Sequence, residues 1–200
     1  MKYNKILVED CRVFYREAGN PENPTLLLLH GFPSSSHMFR ELMPELADEY
    51  HLIAPDFPAF GQTESPDREH FTYSFDHLAR IVDKFTEAIG LNKFAMYVFD
   101  YGAPIGYRLA MWHPERITAI ISQNGNMYDE GLGKKWEARK AYWQNRGEND
   151  PSFIPAGANA FKRDLPNAEI HFVPSGHFAL ESHHTKIAQL MREFLVGVVQ

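Results

Sequence analysis

Short apolar runs alternate with amphipathic stretches along most of the chain. Residues 25–30 are too uniformly hydrophobic for a half-exposed strand and predict one that is covered on both faces. Further strands are predicted at 51–55, 94–99 and 117–121, the last two as buried strands. Helices are predicted between them, at 36–48, 74–89 and 107–112. Strands that alternate with helices form a parallel sheet, so the pattern predicts an α/β protein.

The two ends of the chain depart from this alternation. Residues 5–9 and 12–17 alternate as two short strands, which predicts an opening antiparallel hairpin. Near the other end, residues 169–173 predict a strand, a turn follows it, and 185–196 form an amphipathic closing helix. The sequence therefore predicts a three-layer sandwich whose mostly parallel sheet begins with an antiparallel hairpin.

The composition fits one domain, residues 1–200, because a chain of 200 residues with 44% apolar content fills a single core. The net charge of −6, with Lys and Arg scattered singly, argues against a nucleic-acid or membrane partner and favours a small molecule. Cys11 is the only cysteine, which excludes an intramolecular disulfide and agrees with a reducing compartment. Neither an export signal nor a membrane-spanning run is visible, so a cytoplasmic location is expected.

Asp100 stands at the sharpest transition in the pattern. It follows the apolar run 94–99 at once and precedes a short turn into the helix at 107–112. A strand, one exposed residue and a helix form a nucleophile elbow, in which the central residue attacks the substrate. A carboxylate that attacks carbon makes an alkyl-enzyme ester, which suits carbon–halogen bonds or epoxides better than ordinary esters.

Three polar residues follow different predicted strand ends, in the chain order Asp100, Asp150 and His177. Active sites of open α/β sheets lie at the carboxyl ends of the strands, so we expect the three side chains to meet there. A histidine at such a site deprotonates water while an acid orients its ring. Each also has a plainer interpretation: Asp100 as a helix N-cap, His177 as a turn histidine and Asp150 as part of an Asp-Pro turn.

Five short motifs together resemble one protein family, the α/β-hydrolases of the haloalkane dehalogenase and epoxide hydrolase branch. They are His30-Gly31-Phe32-Pro33, the loop at 54–61, Val98-Phe99-Asp100-Tyr101-Gly102, Asn149-Asp150-Pro151, and Gly176-His177-Phe178 followed by Glu181. The resemblance implies that Asp100 is the nucleophile, His177 the base and Asp150 the orienting acid. It also implies an oxyanion hole made of the backbone N–H groups of Phe32 and Tyr101.

The remaining candidate site residues are assigned to the substrate pocket or to its support. The candidates for the pocket are His30, Pro33, Tyr128 and Phe178. His30 is also placed to support the loop at 30–33, called here the oxyanion loop, through backbone hydrogen bonds. The pair at 183–184 has no partner at metal-ligand spacing, so neither a metal nor another cofactor is expected.

The sequence departs from the family pattern in two respects. Tyr101 and Phe32 occupy the positions where haloalkane dehalogenases of this branch usually carry their halide donors. Only 24 residues separate Gly125 from Asp150, although the family places a helical cap, a crossover helix and a seventh strand there. We therefore interpret 126–149 as the remnant of a deleted cap and strand. The loss predicts either a gap about 4.8 Å wide beside the sixth strand or a terminal strand that slides across to fill it.

Three functional hypotheses remain open on this basis. The first is a hydrolase that lacks most of its helical cap. It acts on small apolar epoxides, haloalkanes or activated esters through an aspartyl ester on Asp100. The second is an inactive or very weak domain that serves in binding or oligomerisation, because the exposed pocket surface favours a homodimer or a swapped strand. The third is ester hydrolysis by a water molecule that His177 activates, in which Asp100 takes no part in the reaction.

Overall fold

A six-stranded sheet forms the centre of the protein. The structure, a computed structural model, describes residues 1–128 and 155–198, with the side chains of 155–158 left out. The strands are β1 (Lys2–Val8), β2 (Cys11–Ala18), β3 (Thr25–Leu29), β4 (His51–Pro55), β5 (Phe94–Phe99) and β6 (Ile117–Gln123). They lie in the order β1-β2-β4-β3-β5-β6. The hairpin β1–β2 and the pair β2–β4 are antiparallel, and the remaining pairs are parallel, which confirms the predicted sheet.

Helices cover both faces of the sheet. They are α1 (Leu42–Leu46), α2 (Phe75–Ala88), α3 (Gly102–Trp112), α4 (Pro155–Asp164) and α5 (Leu180–Val196), with short 3₁₀ turns at Ser36–Phe39 and Pro114–Arg116. Successive side chains of a strand point to opposite faces, so each strand contributes to two cores. On β5, Met96 and Val98 face the core under α2 and α3, and Tyr97 and Phe99 face the core under α1 and α5. The three-layer prediction is confirmed.

The helix predicted over 36–48 is interrupted. The structure has a 3₁₀ turn at Ser36–Phe39 and then the separate helix α1. Pro44 accounts for the interruption, because its ring would clash with the carbonyl group of Arg40 in a continuous helix and it has no N–H to donate. Pro44 is tolerated in the first turn of α1, where backbone N–H groups have no partner within the helix.

Strand β6 differs from the prediction of a buried strand. Its side chains alternate between half-buried and exposed, and Ile120 is 36% exposed. Strand β5 pairs along one side of β6, and along the other side no strand pairs within the part of the chain that the structure describes. A strand at the edge of a sheet is less covered than a central one, which explains the partial exposure.

The strand predicted at 169–173 is wrong. These residues have no regular secondary structure, and Phe172 is 63% exposed. An alternating pattern makes a strand only where another strand accepts and donates its backbone hydrogen bonds. Of the two alternatives for the sixth strand, the one in which this terminal strand slides across to pair with β6 is therefore wrong as well. Within the described residues, no helix is both long and apolar enough to cross a membrane.

Candidate active site

The elbow that carries Asp100 is a tight left-handed turn between β5 and α3. Asp100 has φ 48°, a conformation that non-glycine residues rarely adopt and that often marks a functional site. Gly102 makes the turn possible, because a Cβ there would lie 2.7 Å from the carbonyl oxygen of His30. The turn holds the Asp100 carboxylate at the carboxyl end of the parallel strands, where the sequence predicted the site.

The two carboxylate oxygens of Asp100 have different surroundings. Oδ1 accepts hydrogen bonds from the backbone N–H groups of Phe32, at 2.8 Å, and Tyr101, at 2.7 Å. Oδ2 lies 3.4 Å from Nε2 of His177. The two amides predicted to form an oxyanion hole therefore converge on one oxygen, and the other oxygen faces the predicted base.

Gly31 allows the oxyanion loop to approach Asp100 closely. A Cβ at this position would lie 2.7 Å from Oδ1 of Asp100 and 2.9 Å from the carbonyl oxygen of Phe99. Such distances are too short for any real Cβ, so a larger residue must displace the loop that carries the Phe32 amide. Glycine is needed here for the close approach of two backbone segments.

We predict that Gly31→Ala lowers turnover by about 10²-fold, because it draws the Phe32 N–H away from Oδ1. Gly197→Ala at the end of α5 is the matched control, since an added Cβ there meets only an ordinary contact at 3.5 Å. Steady-state kinetics together with circular dichroism would check the result. Equal activity of the two variants would show that the loop position is unimportant.

His30 supports the oxyanion loop from inside the protein. It is fully buried, with Nδ1 3.1 Å from the carbonyl oxygen of Gly31 and Nε2 accepting a hydrogen bond from the N–H of Phe57 at 3.1 Å. Because Nε2 accepts, the ring proton lies on Nδ1 and is donated to Gly31. Burial lowers the pKa of His30 from 6.5 to about 4, so the ring stays neutral at physiological pH. These contacts agree with a bracing role behind the loop.

We predict that His30 makes the protein less stable in acid. Between pH 6.5 and about 4, the unfolded chain binds a proton at this ring and the folded protein does not, so the free energy of unfolding falls as pH falls. The full loss is about 3 kcal/mol. Denaturant titrations at pH 7 and pH 4.5 should show a smaller decrease in His30→Gln than in the wild type. His171→Gln, at an exposed histidine, should retain the wild-type decrease.

His177 reaches Asp100 from an irregular segment rather than from the end of a strand. Its ring packs 4.8 Å from that of Phe99 and 5.1 Å from that of Phe178. The side-chain amide of Asn124 donates a hydrogen bond to the carbonyl oxygen of His177 at 2.5 Å. Sequence reasoning missed Asn124. The only available signal was an asparagine after a strand, a residue that tolerates the left-handed φ of 45° found there.

Several residues next to Asp100 and His177 have aromatic side chains. The Tyr101 ring lies 5.6 Å from Phe32 and 5.1 Å from Phe75, and Phe178 lies beside His177. Phe32 and Phe178 are 49% and 39% exposed, so apolar surface is available near Asp100 and His177. This surface suits a small apolar molecule.

The other predicted site residues have different positions. Pro33 is exposed and follows Phe32 through a cis peptide bond. Tyr128 packs against α4, with its ring 5.1 Å from Phe161 and 4.9 Å from the guanidinium carbon of Arg163. Asp150 lies outside the described residues. Within those residues, no group of three His, Cys, Asp or Glu side chains is arranged to hold a metal ion.

A cavity of about 330 Å³ lies at the opposite end of β5 from Asp100. It is lined by Glu87, Gly90, Leu91, Asn92, His113 and Arg116. The Arg116 guanidinium donates to Asp83 at 3.0 Å, to Thr86 at 2.8 Å and to the carbonyl oxygen of Leu91 at 2.6 Å. These bonds tie the end of α2 to the turn before β6, which is a structural role. The elbow, not this cavity, is the candidate active site.

The fold and the elbow define the class of protein, and comparison with known proteins gives the family. The α/β-hydrolase fold family matches residues 24–150, so the chain belongs to that family. An uncharacterized hydrolase of Saccharomyces cerevisiae is 51% identical over 155 residues, 76% of this chain and 52% of the yeast protein. A haloalkane dehalogenase of Mesorhizobium japonicum is 34% identical over 119 residues, 60% of this chain and 37% of that protein.

Solved structures agree with this branch of the family. An ancestral haloalkane dehalogenase superposes with a TM-score of 0.63 at 26% identity, over 88% of this chain and 62% of the other. An epoxide hydrolase from Vigna radiata superposes with a TM-score of 0.61 at 25% identity, over 72% and 45%. The chain thus spans about half the length of the yeast relative, and less of the curated dehalogenase.

Proposed function

We propose that the protein hydrolyses small apolar electrophiles through a covalent ester on Asp100. The observation that carries the proposal is the division of the Asp100 carboxylate, with Oδ1 held by two backbone amides and Oδ2 facing His177. A carboxylate held through one oxygen presents the other to an incoming carbon. The arrangement is thus matched to nucleophilic attack.

In the first half-reaction, Oδ2 of Asp100 forms a bond to an electrophilic carbon of the substrate. In a haloalkane, the bond from that carbon to the halogen breaks and the electron pair departs with the halide. In an epoxide, the bond to the ring oxygen breaks, and the oxygen keeps the electron pair, stays on the neighbouring carbon and takes a proton from solvent. The product of this step is an alkyl ester of Asp100, or a mixed anhydride when the substrate is an activated ester, whose alcohol is then the leaving group. His177 takes no part in the bond changes, so this step depends on the carboxylate and on the fit of the substrate.

In the second half-reaction, His177 removes a proton from a water molecule that attacks Cγ of the ester. Oδ1 then becomes negatively charged, and the N–H groups of Phe32 and Tyr101 already point at it. Such a donor contributes roughly 3 kcal/mol to a transition state of this kind. His177 returns this proton to Oδ2 as the alcohol departs with it, and the oxygen of the water remains in the carboxylate of Asp100.

The substrate class follows from the aromatic surroundings and from the relatives. Phe32, Tyr101 and Phe178 offer apolar rings beside the carboxylate, which favours small epoxides, haloalkanes or activated esters over charged molecules. Relatives in sequence and structure include haloalkane dehalogenases and epoxide hydrolases, which act through this fold.

The two other hypotheses are less well supported by the geometry. Direct attack of water on a bound ester needs an oxyanion hole that is free for the substrate, and Oδ1 of Asp100 already accepts from both amides. An inactive site with a displaced histidine would separate His177 from Asp100, and the two side chains lie 3.4 Å apart. Both observations favour the aspartyl ester.

Covalent trapping tests the proposal. His177→Gln should form the covalent intermediate and fail to hydrolyse it. Intact-mass spectrometry should then find one added alkyl group after exposure to a haloalkane, one added epoxide after exposure to an epoxide, and one added acyl group after exposure to an activated ester. Peptide mapping should place the adduct on Asp100, and His177→Gln combined with Asp100→Asn should show none. Absence of an adduct with every substrate class would contradict the proposal.

A further inference from the structure

The segment that carries His177 is not part of the sheet. Residues 165–178 have no helix or strand, and Phe172 is exposed, yet Nε2 of His177 lies 3.4 Å from Oδ2 of Asp100. The position of a catalytic group must usually be fixed to within a fraction of an ångström by the groups around it. Contacts outside the segment must therefore fix this ring.

Asn124 makes such a contact from a rigid part of the sheet. In the ladder between β5 and β6, Gln123 pairs with Phe99, so the next residue on each strand, Asn124 and Asp100, lie side by side at the carboxyl end of the sheet. The Oε1 atom of Gln123 accepts a hydrogen bond from the fully buried hydroxyl of Tyr97 at 2.5 Å. This bond fixes the end of β6 against β5, and with it the backbone of Asn124.

The side chain of Asn124 reaches from this fixed point to the histidine segment. Its Nδ2 donates to the carbonyl oxygen of His177 itself at 2.5 Å. Phe99 at the end of β5 packs against the His177 ring itself, with the ring centres 4.8 Å apart, but this contact does not hold the backbone of the segment. A further contact lies along the chain, where Arg40 forms a bidentate ion pair with Glu181 at 3.1 and 2.6 Å. That pair is partly exposed and four residues away from His177, so it constrains the ring less directly.

We propose that Asn124 is a positioning residue for His177, which it holds at its carbonyl group over the Asp100 ester. The inference rests on the proposed function and deepens it, since it concerns the second half-reaction alone. The first half-reaction needs only the Asp100 carboxylate, and the second needs the His177 ring within reach of a water at Cγ. Loss of the Asn124 amide thus slows hydrolysis of the ester and leaves its formation unchanged.

The test compares Asn124→Gly with Asn126→Gly. Asn124 has φ 45°, which glycine adopts freely, so the substitution removes the amide without straining the backbone. Asn126 lies two residues further in the same loop and has no hydrogen bond to His177 among the described residues. Both variants place a second glycine next to Gly125, so both change the flexibility of the same loop.

We expect kcat of Asn124→Gly to fall by about 10- to 100-fold. Slow hydrolysis lets the ester accumulate, so KM should fall in parallel, kcat/KM should stay within about twofold, and mass spectrometry should find most of the enzyme alkylated during turnover. Asn126→Gly should match the wild type in all three measurements. If the substitution only reduces the fraction of correctly folded enzyme, kcat and kcat/KM fall by the same factor. That result would overturn the inference.

Failure of the proposed function is recognised separately. If neither the wild type nor His177→Gln forms an ester with any substrate class, the proposed function fails. Crystal structures of the two asparagine variants then test Asn124 alone. A separation between Nε2 of His177 and Oδ2 of Asp100 that grows beyond 3.4 Å only in Asn124→Gly supports the inference. An unchanged separation overturns it.

Discussion

Asp100→Asn is expected to lower turnover by about 10⁴-fold or more, on the scale seen when a covalent nucleophile is removed. Asparagine has nearly the same shape and can still accept at Oδ1 from the Phe32 and Tyr101 amides, so the elbow should keep its structure. Its amide nitrogen does not attack carbon, so no ester forms. Steady-state kinetics on the substrate with the highest wild-type rate would measure the loss.

The matched control for this variant is Asp10→Asn in the exposed turn between β1 and β2. The same change of charge far from the site should leave turnover within about twofold of the wild type, since isolated surface charges have small effects. If Asp100→Asn keeps more than a tenth of the wild-type rate, Asp100 is not the nucleophile. Direct attack of water would then be the better account.

His177→Gln is expected to separate the two half-reactions. Steady-state turnover should fall by roughly 10³-fold, the usual contribution of a general base. The first turnover should keep a rate within a few-fold of the wild type, because formation of the ester needs Oδ2 of Asp100 and no base. Rapid-quench measurements should therefore show a burst of released halide, or of consumed epoxide, equal to the amount of enzyme.

His171→Gln is the matched control, because His171 is an exposed histidine in the same irregular segment as His177. This variant should turn over like the wild type and show the same time course as the wild type in the first turnover. If His177→Gln loses the first turnover as well, the histidine takes part in the first step or holds the site together. Both explanations would contradict the assignment of ester formation to Oδ2 of Asp100 and of ester hydrolysis to the His177 ring.

The parts of the site that could be predicted from sequence are local in the chain. The elbow depends on one apolar run, one turn and one helix, and the oxyanion loop depends on the four residues that begin at His30. The pattern therefore predicted the elbow at Asp100, the family resemblance implied the Phe32 and Tyr101 amides, and the structure brings these groups together. The hairpin and the parallel strands were predictable for the same reason, because the hydrophobic periodicity of a strand is a property of a short segment of sequence.

The parts that could not be predicted depend on distant neighbours. Residues 169–173 alternate like a strand, but a strand also needs a partner for its backbone groups, and sequence periodicity does not report one. The partial exposure of β6 could not be predicted either, because it depends on whether a further strand pairs along its outer edge. Asn124 became visible only once the register of β5 and β6 placed it beside Asp100. Pro44 is the exception, because its effect on the predicted helix is local and could have been anticipated.

The site is assembled from two stretches of very different character. Asp100, both oxyanion amides and Asn124 come from residues 1–128, where the sheet order fixes their positions. His177 comes from an irregular segment that joins the site through a few contacts. We therefore expect formation of the ester to be robust to substitutions, and its hydrolysis to be sensitive to changes around His177.

Oxygen labelling in a single turnover tests the central claim most directly. With enzyme in excess over substrate in H₂¹⁸O, the oxygen newly bonded to carbon in the product should be ¹⁶O, because it is the original Oδ2 of Asp100. The peptide that contains Asp100 should gain one ¹⁸O from water. A product that carries ¹⁸O after the first turnover, with Asp100 unlabelled, would show that water attacks the substrate directly and would contradict the aspartyl ester.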